Sequence, residues 1–365
     1  MKVLHVEAGM HLYGGARQVA YLLSGLRQQG VESILVCPIG SAIGQLAGEI
    51  IETVHELPMR GDYDLALIWR LRRIIRQERP ELVHLHSRRG ADILGGLAAS
   101  LTGVKTVLSR RVDNPESPLV VKWKYRLYDR IIPISQGIAE VMLREGVPEE
   151  KLVCVRSAVD VEAFQQACDR AWFSNTFGLA EDALVIGVVA QLIPRKGHRY
   201  LLEAMPRLLE AFPNLRLLIF GRGPLAAELE ARIVEMKLQE QVMLAGFRED
   251  LPAILPCLDL LVHPALMEGL GIALLQAASA GLPIVAVDAG GMPEVVEDGV
   301  NGRLIPPGSV EALEDAVRQL LTDEDLRRRM GASGREKMRQ HFSVARMVDG
   351  NLSVYRELLS QEKNG

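Results

Sequence analysis

The chain has 365 residues, a formal net charge of −4, 48% hydrophobic and 24% charged residues. This length exceeds one ordinary core and predicts two domains, while the composition excludes disordered, collagenous and disulfide-dense classes. No apolar run approaches the ~20 residues that span a bilayer, and the opening MKVLHVEAG reads as a strand rather than a signal peptide.

Short β-branched runs alternate with helical periodicity from end to end. In the first half, strands are expected at 3–6, 33–36, 82–85, 105–108, 130–134 and 152–155, with helices such as 16–29 and 65–77. In the second half, strands are expected at 184–189, 216–220, 242–245, 260–262, 283–287 and 302–305, with a helix at 225–237. This alternation predicts two consecutive doubly wound parallel sheets with helices on both faces, the segment 161–178 between them carrying no strand signal. Ligands of such sheets lie outside the strands' C-terminal ends, so a cleft between two facing sheets is the expected site. A final amphipathic helix, 344–359, is expected to pack back across the domain junction.

Several junctions carry residues suited to chemistry. Gly14-Gly15 opens the first helix without a GxGxxG pattern, which suits close approach to a phosphate or sugar and not a dinucleotide cofactor. His84 and His86 share one face of a strand, and His86, Ser87, Arg88 and Arg89 end it in a polar cluster; Arg110 and Arg111 end the next. A zinc site would need a third ligand at recognisable spacing, and the sequence offers none, so no metal is expected. Asp62-Tyr63-Asp64 directly precedes a helix, where N-capping accounts for Asp64. Residues 1–165 hold 21 Lys+Arg against 19 Asp+Glu, and the remainder 21 against 27. The basic cluster in the first half is too mild for nucleic acid and fits lipid headgroups or a phosphorylated acceptor. Lys122 to Tyr128 interleaves bases with aromatics, as either an interfacial patch or an ordinary amphipathic helix. Cys37, Cys154, Cys168 and Cys257 lack metal or redox spacing and are expected to be reduced, in a cytoplasmic protein.

The densest signal is residues 263–294, where two strands in succession hand over to glycine-rich helix starts. Such starts present free N–H groups and partial positive charge, and Glu268 beside Gly269-Leu270-Gly271 can accept hydrogen bonds from vicinal hydroxyls. Arg195 and Lys196 follow another strand, near Gln191, and could neutralise a departing diphosphate. A phosphate cradle joined to a hydroxyl acceptor points to a sugar attached to a nucleotide.

Taken together, these motifs resemble the retaining glycosyltransferases of family 4, which have the GT-B fold of two Rossmann-like domains. The likeness runs from Gly14-Gly15 through Ser157-Ala158-Val159-Asp160, Pro194-Arg195-Lys196-Gly197 and Phe220-Gly221-Arg222-Gly223-Pro224 to Glu268-Gly269-Leu270-Gly271 and Gly290-Gly291-Met292-Pro293-Glu294. It implies an acceptor-binding domain at 1–165, a donor-binding domain at 166–342 and a C-terminal helix at 343–365. It also implies a catalytic set of Glu268, Lys196 and Arg195. Gly14, Gly15, Gln191, Gly269, Leu270, Gly271 and Gln276 would bind the donor, and His86, Arg88, Arg110 and Arg111 would line the acceptor side. Gln276 stands where the family's second glutamate grips ribose, and Gln191 where an arginine is common. The reaction implied is metal-independent transfer of a hexose-like sugar to a hydroxyl of an envelope glycan or glycolipid of the lipopolysaccharide type, at the inner face of a membrane. A nucleotide-sugar 2-epimerase and an inactive sugar-nucleotide binding subunit are the alternatives.

Overall fold

The computed structural model describes residues 1–86 and 90–361. Its elements begin with β1 (Lys2–Val6), α1 (Gly14–Gln28), β2 (Glu32–Pro38), α2 (Ala42–Ile50), β3 (Thr53–Leu57) and α3 (Ala66–Glu78). They continue with β4 (Leu82–Leu85), α4 (Gly96–Ser100), β5 (Lys105–Arg110), α5 (Pro118–Lys124), β6 (Arg130–Pro133) and α6 (Gln136–Arg144). Next come α7 (Arg170–Phe177), β7 (Leu184–Val189), α8 (His198–Ala211), β8 (Leu215–Phe220), α9 (Ala226–Glu235), β9 (Val242–Gly246) and α10 (Leu251–Ile254). The chain closes with β10 (Leu260–His263), α11 (Ile272–Ala280), β11 (Ile284–Val287), α12 (Met292–Val295), β12 (Gly302–Ile305), α13 (Val310–Thr322), α14 (Glu324–His341) and α15 (Val344–Gln361).

Internal contacts divide the chain into Met1–Ala158 with the stretch from Val344 onward, and Val159–Ser343. Each unit is a six-stranded parallel sheet, ordered β3-β2-β1-β4-β5-β6 in the first and β12-β11-β10-β7-β8-β9 in the second. Buried runs such as Val3-Leu4 and Leu260-Leu261-Val262 fill the middle of each sheet, because parallel strands covered on both faces exclude water from both sides. Helix starts are set by side-chain caps: Ser41 accepts from Gly44 N, Ser135 from Ile138 N and Ser309 from Ala312 N. Strand order reverses between β1 and β4 and again between β7 and β10. These switch points are where a doubly wound sheet opens a crevice for ligand.

Four expectations change. β3 carries Thr53-Val54-His55-Glu56-Leu57, too polar to read as a strand, and it is tolerated because it lies at the sheet's edge. Residues 152–155 form no full strand: Val153 N and Val155 N donate to Ile131 and Pro133, but Pro133 has no N–H to return. The boundary falls at 158/159 rather than 165/166, since Val159 N donates to Phe342 O at 2.9 Å and Phe164 joins the second core. Cys168 and Cys257, 89 residues apart, are joined by a disulfide with a Cα–Cα distance of 4.9 Å; Cys37 and Cys154 take part in no disulfide.

α15 lies on the first unit, where Met347, Val348, Leu352 and Tyr355 are buried with Leu22 and Leu26 of α1. A Cβ on Gly25 would come within 2.3 Å of Val348 Cγ2, so this crossing depends on a glycine. For the disulfide, reduction is expected to lower unfolding stability by about 2–4 kcal/mol, since a long closed loop is released in the denatured chain. Urea midpoints with and without reductant check this, and identical midpoints would count against the bond's contribution.

Candidate active site

In the second unit, three loops from neighbouring strands are bound to one another. The β7–α8 loop turns at Pro194–Lys196 and enters α8 through Gly197 at φ 69°. Only glycine serves there, because a Cβ would sit 2.0 Å from Pro264 O. Leu266 N donates to Arg195 O at 2.9 Å, joining this loop to the one that leaves β10. The β11–α12 loop then closes over the same segment: Gly291 N donates to Glu268 O at 2.9 Å, and a Cβ on Gly291 would meet Gly269 O at 2.1 Å.

This lacing places Glu268 beside Lys196, whose ammonium donates directly to its carboxylate, with Arg195 Nη2 at 3.7 Å. Their side chains are graded in exposure, Lys196 at 10%, Glu268 at 17% and Arg195 at 41%. Burial pushes the Glu268 carboxyl up, but His263, Lys196 and Arg195 together outweigh it and hold it below the usual range. Gly271, at φ 90°, begins α11 with no side-chain cap and no acid in the first turn, so its end keeps its attraction for an anion. Gly269 and Leu270 lie in the same loop, and Gln276 is half-buried in the second turn of α11. Gln191 is exposed just after β7. Two buried histidines that sequence reading passed over, His198 and His263, flank the Gly197–Pro264 contact. Burial lowers both, to about 4 in each case.

In the first unit, Gly14 and Gly15 are the first residues of α1 itself, and Arg111 Cδ lies 3.6 Å from where a Gly15 Cβ would be. A cavity of about 190 Å³ opens here, lined by Glu7, Gly15, His86, Ser109, Arg111 and Lys124 among others. A second cavity of about 400 Å³ involves Lys105 and Thr106 at the start of β5, the wrong end of a parallel sheet for ligand. Arg88 lies outside the described residues. Arg110 lines the smaller cavity from a buried position: it is 3% exposed, donates to Val112 O and Asn114 O, and pairs with Glu116 at 3.0 Å. Asp64 does not cap α3; it accepts from Arg60 N at 3.0 Å and pairs with Arg70.

The third histidine that sequence spacing did not reveal is His5, brought opposite His84 by the β1–β4 register. Ring nitrogens of His5, His84 and His86 lie within 4.8 Å of one another, and burial lowers all three, His5 to about 3. Neutral imidazoles are what a metal requires, yet hydrogen bonds already engage most of this group, His5 Nε2 being left without a partner among the described residues. His84 uses both nitrogens, on Tyr355 Oη at 2.5 Å and Ser109 Oγ at 2.8 Å. His86 meets His5 at 3.0 Å and the Arg111 guanidinium at 3.5 Å, a cation that opposes another.

Residues 13–163 match the family described as Glycosyltransferase Family 4, and residues 169–337 match Glycosyl transferases group 1. The chain belongs to the family 4 glycosyltransferases. Among curated relatives of this glycosyltransferase, an Escherichia coli UDP-Gal:α-D-GlcNAc-diphosphoundecaprenol α-1,3-galactosyltransferase is 27% identical, covering 81% of this chain and 80% of its own. A 2-deoxystreptamine glucosyltransferase of Streptomyces kanamyceticus is 29% identical over 77% and 78%. Among solved structures, Anabaena HepE in complex with UDP and glucose aligns with a TM-score of 0.87 at 20% identity, covering 98% and 100%. The lipopolysaccharide outer core galactosyltransferase WaaB aligns at 0.73 and 15%, over 98% and 100%; these likenesses establish the fold. The pair of doubly wound sheets is accordingly the GT-B fold.

Proposed function

We propose that this glycosyltransferase retains anomeric configuration, needs no metal, and moves a hexose-like sugar from a nucleoside diphosphate to a hydroxyl of an envelope glycan or lipopolysaccharide-type glycolipid. The observation that carries the reading is the Lys196–Glu268 pair, with Arg195 beside it, at the β7/β10 switch point. Lys196, Arg195 and the start of α11 stabilise the diphosphate as negative charge grows on it. Glu268 orients the sugar through its hydroxyls, Gln276 offers an amide to ribose, and Gly269 to Gly271 supply backbone approach. A phosphate oxygen of the departing diphosphate takes the acceptor's proton, so no separate base is required. Gly14, Gly15, His86 and Arg111 serve the first unit's share of the ligands. UDP in the HepE complex and in the name of the E. coli relative supports a nucleotide-sugar donor.

The experiment is release of nucleoside diphosphate from UDP-, GDP- and ADP-sugars with glycolipid acceptors, followed by NMR of the product's anomeric centre. Retained configuration and undiminished rate in EDTA are expected. An inverted product, or loss of rate in chelator, would overturn those two parts separately.

Peripheral membrane contact belongs to the same reading. No described helix is long and apolar enough to cross a membrane. In the first unit, Tyr63, Leu65 and Trp69 at the start of α3, and Leu119 and Trp123 on α5, are exposed, near exposed Arg73, Arg76, Lys122 and Arg126. The turn Ala91–Gly95 lies between the two helices, its Asp92 held by Lys124 of α5 and its Gly95 packed near Leu71 of α3. Tyr125 and Tyr128, by contrast, are core residues, so the mixed run divides by helix face. Aromatics ringed by cations suit an anionic bilayer surface. Trp69→Ala with Trp123→Ala is expected to weaken flotation with phosphatidylglycerol vesicles about tenfold or more. Unchanged flotation would sink the contact.

A further inference from the structure

His263 ends β10 at 1% exposure and His198 begins α8 at 2%, and none of their four ring nitrogens has a hydrogen-bond partner among the described residues. An unpartnered polar atom in the interior is costly, so such a group marks a place where something changes during function. His198 follows Lys196 by two residues and His263 precedes Glu268 by five, on the two loops joined by the Leu266 N to Arg195 O bond. Among the charges acting on Glu268, His263 comes ahead of Lys196 and Arg195. His263 in turn feels Glu268 pulling a proton toward it, and Lys196 and His198 opposing.

We infer that His263 takes up a proton when a nucleoside diphosphate occupies the Lys196 site. The phosphate oxygens draw the Lys196 ammonium away from Glu268. One proton then passes from solvent to a ring nitrogen of His263, forming an N–H bond, and the imidazolium pairs with the Glu268 carboxylate. Glu268 thereby stays ionised beside an incoming anion without losing its counter-charge. This rests on the donor-site reading above, and it adds a group that reading does not use.

Two changes act in the same direction. Without ligand, burial first, and then Lys196, hold His263 neutral at about 4 despite Glu268. A bound diphosphate cancels the Lys196 charge and adds negative charge of its own. A close opposite charge raises the pKa of an imidazole, so a bound diphosphate moves His263 upward, toward the charged form. His198 feels Lys196 and has no carboxylate acting on it, so a charge there would stand uncompensated.

Calorimetric titration with UDP, or with GDP if that is the nucleotide that raises the melting temperature, tests this between about pH 5 and 7, where histidine changes charge. Paired buffers of different ionisation enthalpy yield the protons taken up, and the ligand's own titration cancels between proteins. Wild type is expected to take up more protons per nucleotide than His263→Asn, up to about one at the lower pH values. Equal uptake overturns the inference. Ring NMR of ¹⁵N-histidine wild type, assigned with His198→Asn, reads the same event without altering His263: its signal should move to the imidazolium position on binding. Movement of His198 instead also overturns it. Failure of either nucleotide to bind wild type would fall on the donor-site reading, and take this inference with it.

Discussion

Glu268→Ala is expected to lower sugar transfer by about 100- to 1,000-fold, with the protein still folded. The carboxylate is the one acid against which Lys196 and Arg195 converge, and its backbone is clamped by Gly291 N. In the proposed reaction its removal takes away the group that orients the sugar against the diphosphate, and misplacement alone is costly to a bimolecular reaction. Stability should change little, because Arg195 is well exposed and the Lys196 ammonium retains a path to solvent or phosphate. Glu268→Gln separates two contributions, since the amide keeps hydrogen bonding to hydroxyls and loses the charge that balances Lys196. Turnover and melting temperature of both variants are the measurements. Near-normal turnover in the alanine variant would end the assignment of this site.

Lys124→Met is expected to destabilise the first unit by about 3–5 kcal/mol, the usual effect of removing one partner from a buried ion pair. Lys124 is 1% exposed, and its ammonium lies 2.5 Å from Asp92 and 2.9 Å from Glu116, which also holds Arg110 and the Tyr125 hydroxyl. Burial raises the Asp92 carboxyl in spite of Lys124. At Glu116 burial pushes up as well, but Lys124, Tyr125 and Arg110 outweigh it and hold the carboxyl at about 2, against an ordinary 4.5. The stability Glu116 contributes is therefore present above about pH 4.5 and lost as pH falls toward 2. Asp92, raised, works the other way, losing stability as pH climbs through its folded value. In the variant Asp92 loses its buried cation and Glu116 keeps only Arg110, so the deficit should be largest at pH 7 and shrink near pH 4, where carboxylates take up protons. Urea midpoints at the two pH values check it. A deficit below about 1 kcal/mol, typical of an exposed pair, would show that the network is not structural.

Much of this was legible in the residues. Strand–helix alternation specifies its own architecture, because a run buried on both faces and followed by an amphipathic stretch has few ways to hide both. The Glu268-Gly269-Leu270-Gly271 and Arg195-Lys196 loops were readable for a related reason: a glycine at a positive-φ helix start and a charge beside it are local requirements, visible in a few residues. Local signals failed where the partner lay far along the chain. His5 stands 79 residues before His84 and joins it only through strand register. Cys168 meets Cys257 across 89 residues. Arg110 and Arg111 are adjacent in sequence with the same chemistry and line one cavity, yet the first is 3% exposed and tied to Glu116 while the second reaches His86.

Fold class, family and the glycine-rich loops were thus readable from the residues, since periodicity and glycine placement act within one element or one turn. Tertiary structure alone decided which arginine is buried, which histidines gather, which cysteines bond and which carboxylate each lysine answers. Those outcomes depend on burial and on distances between residues far apart in the chain, and both come into being only when the strands align.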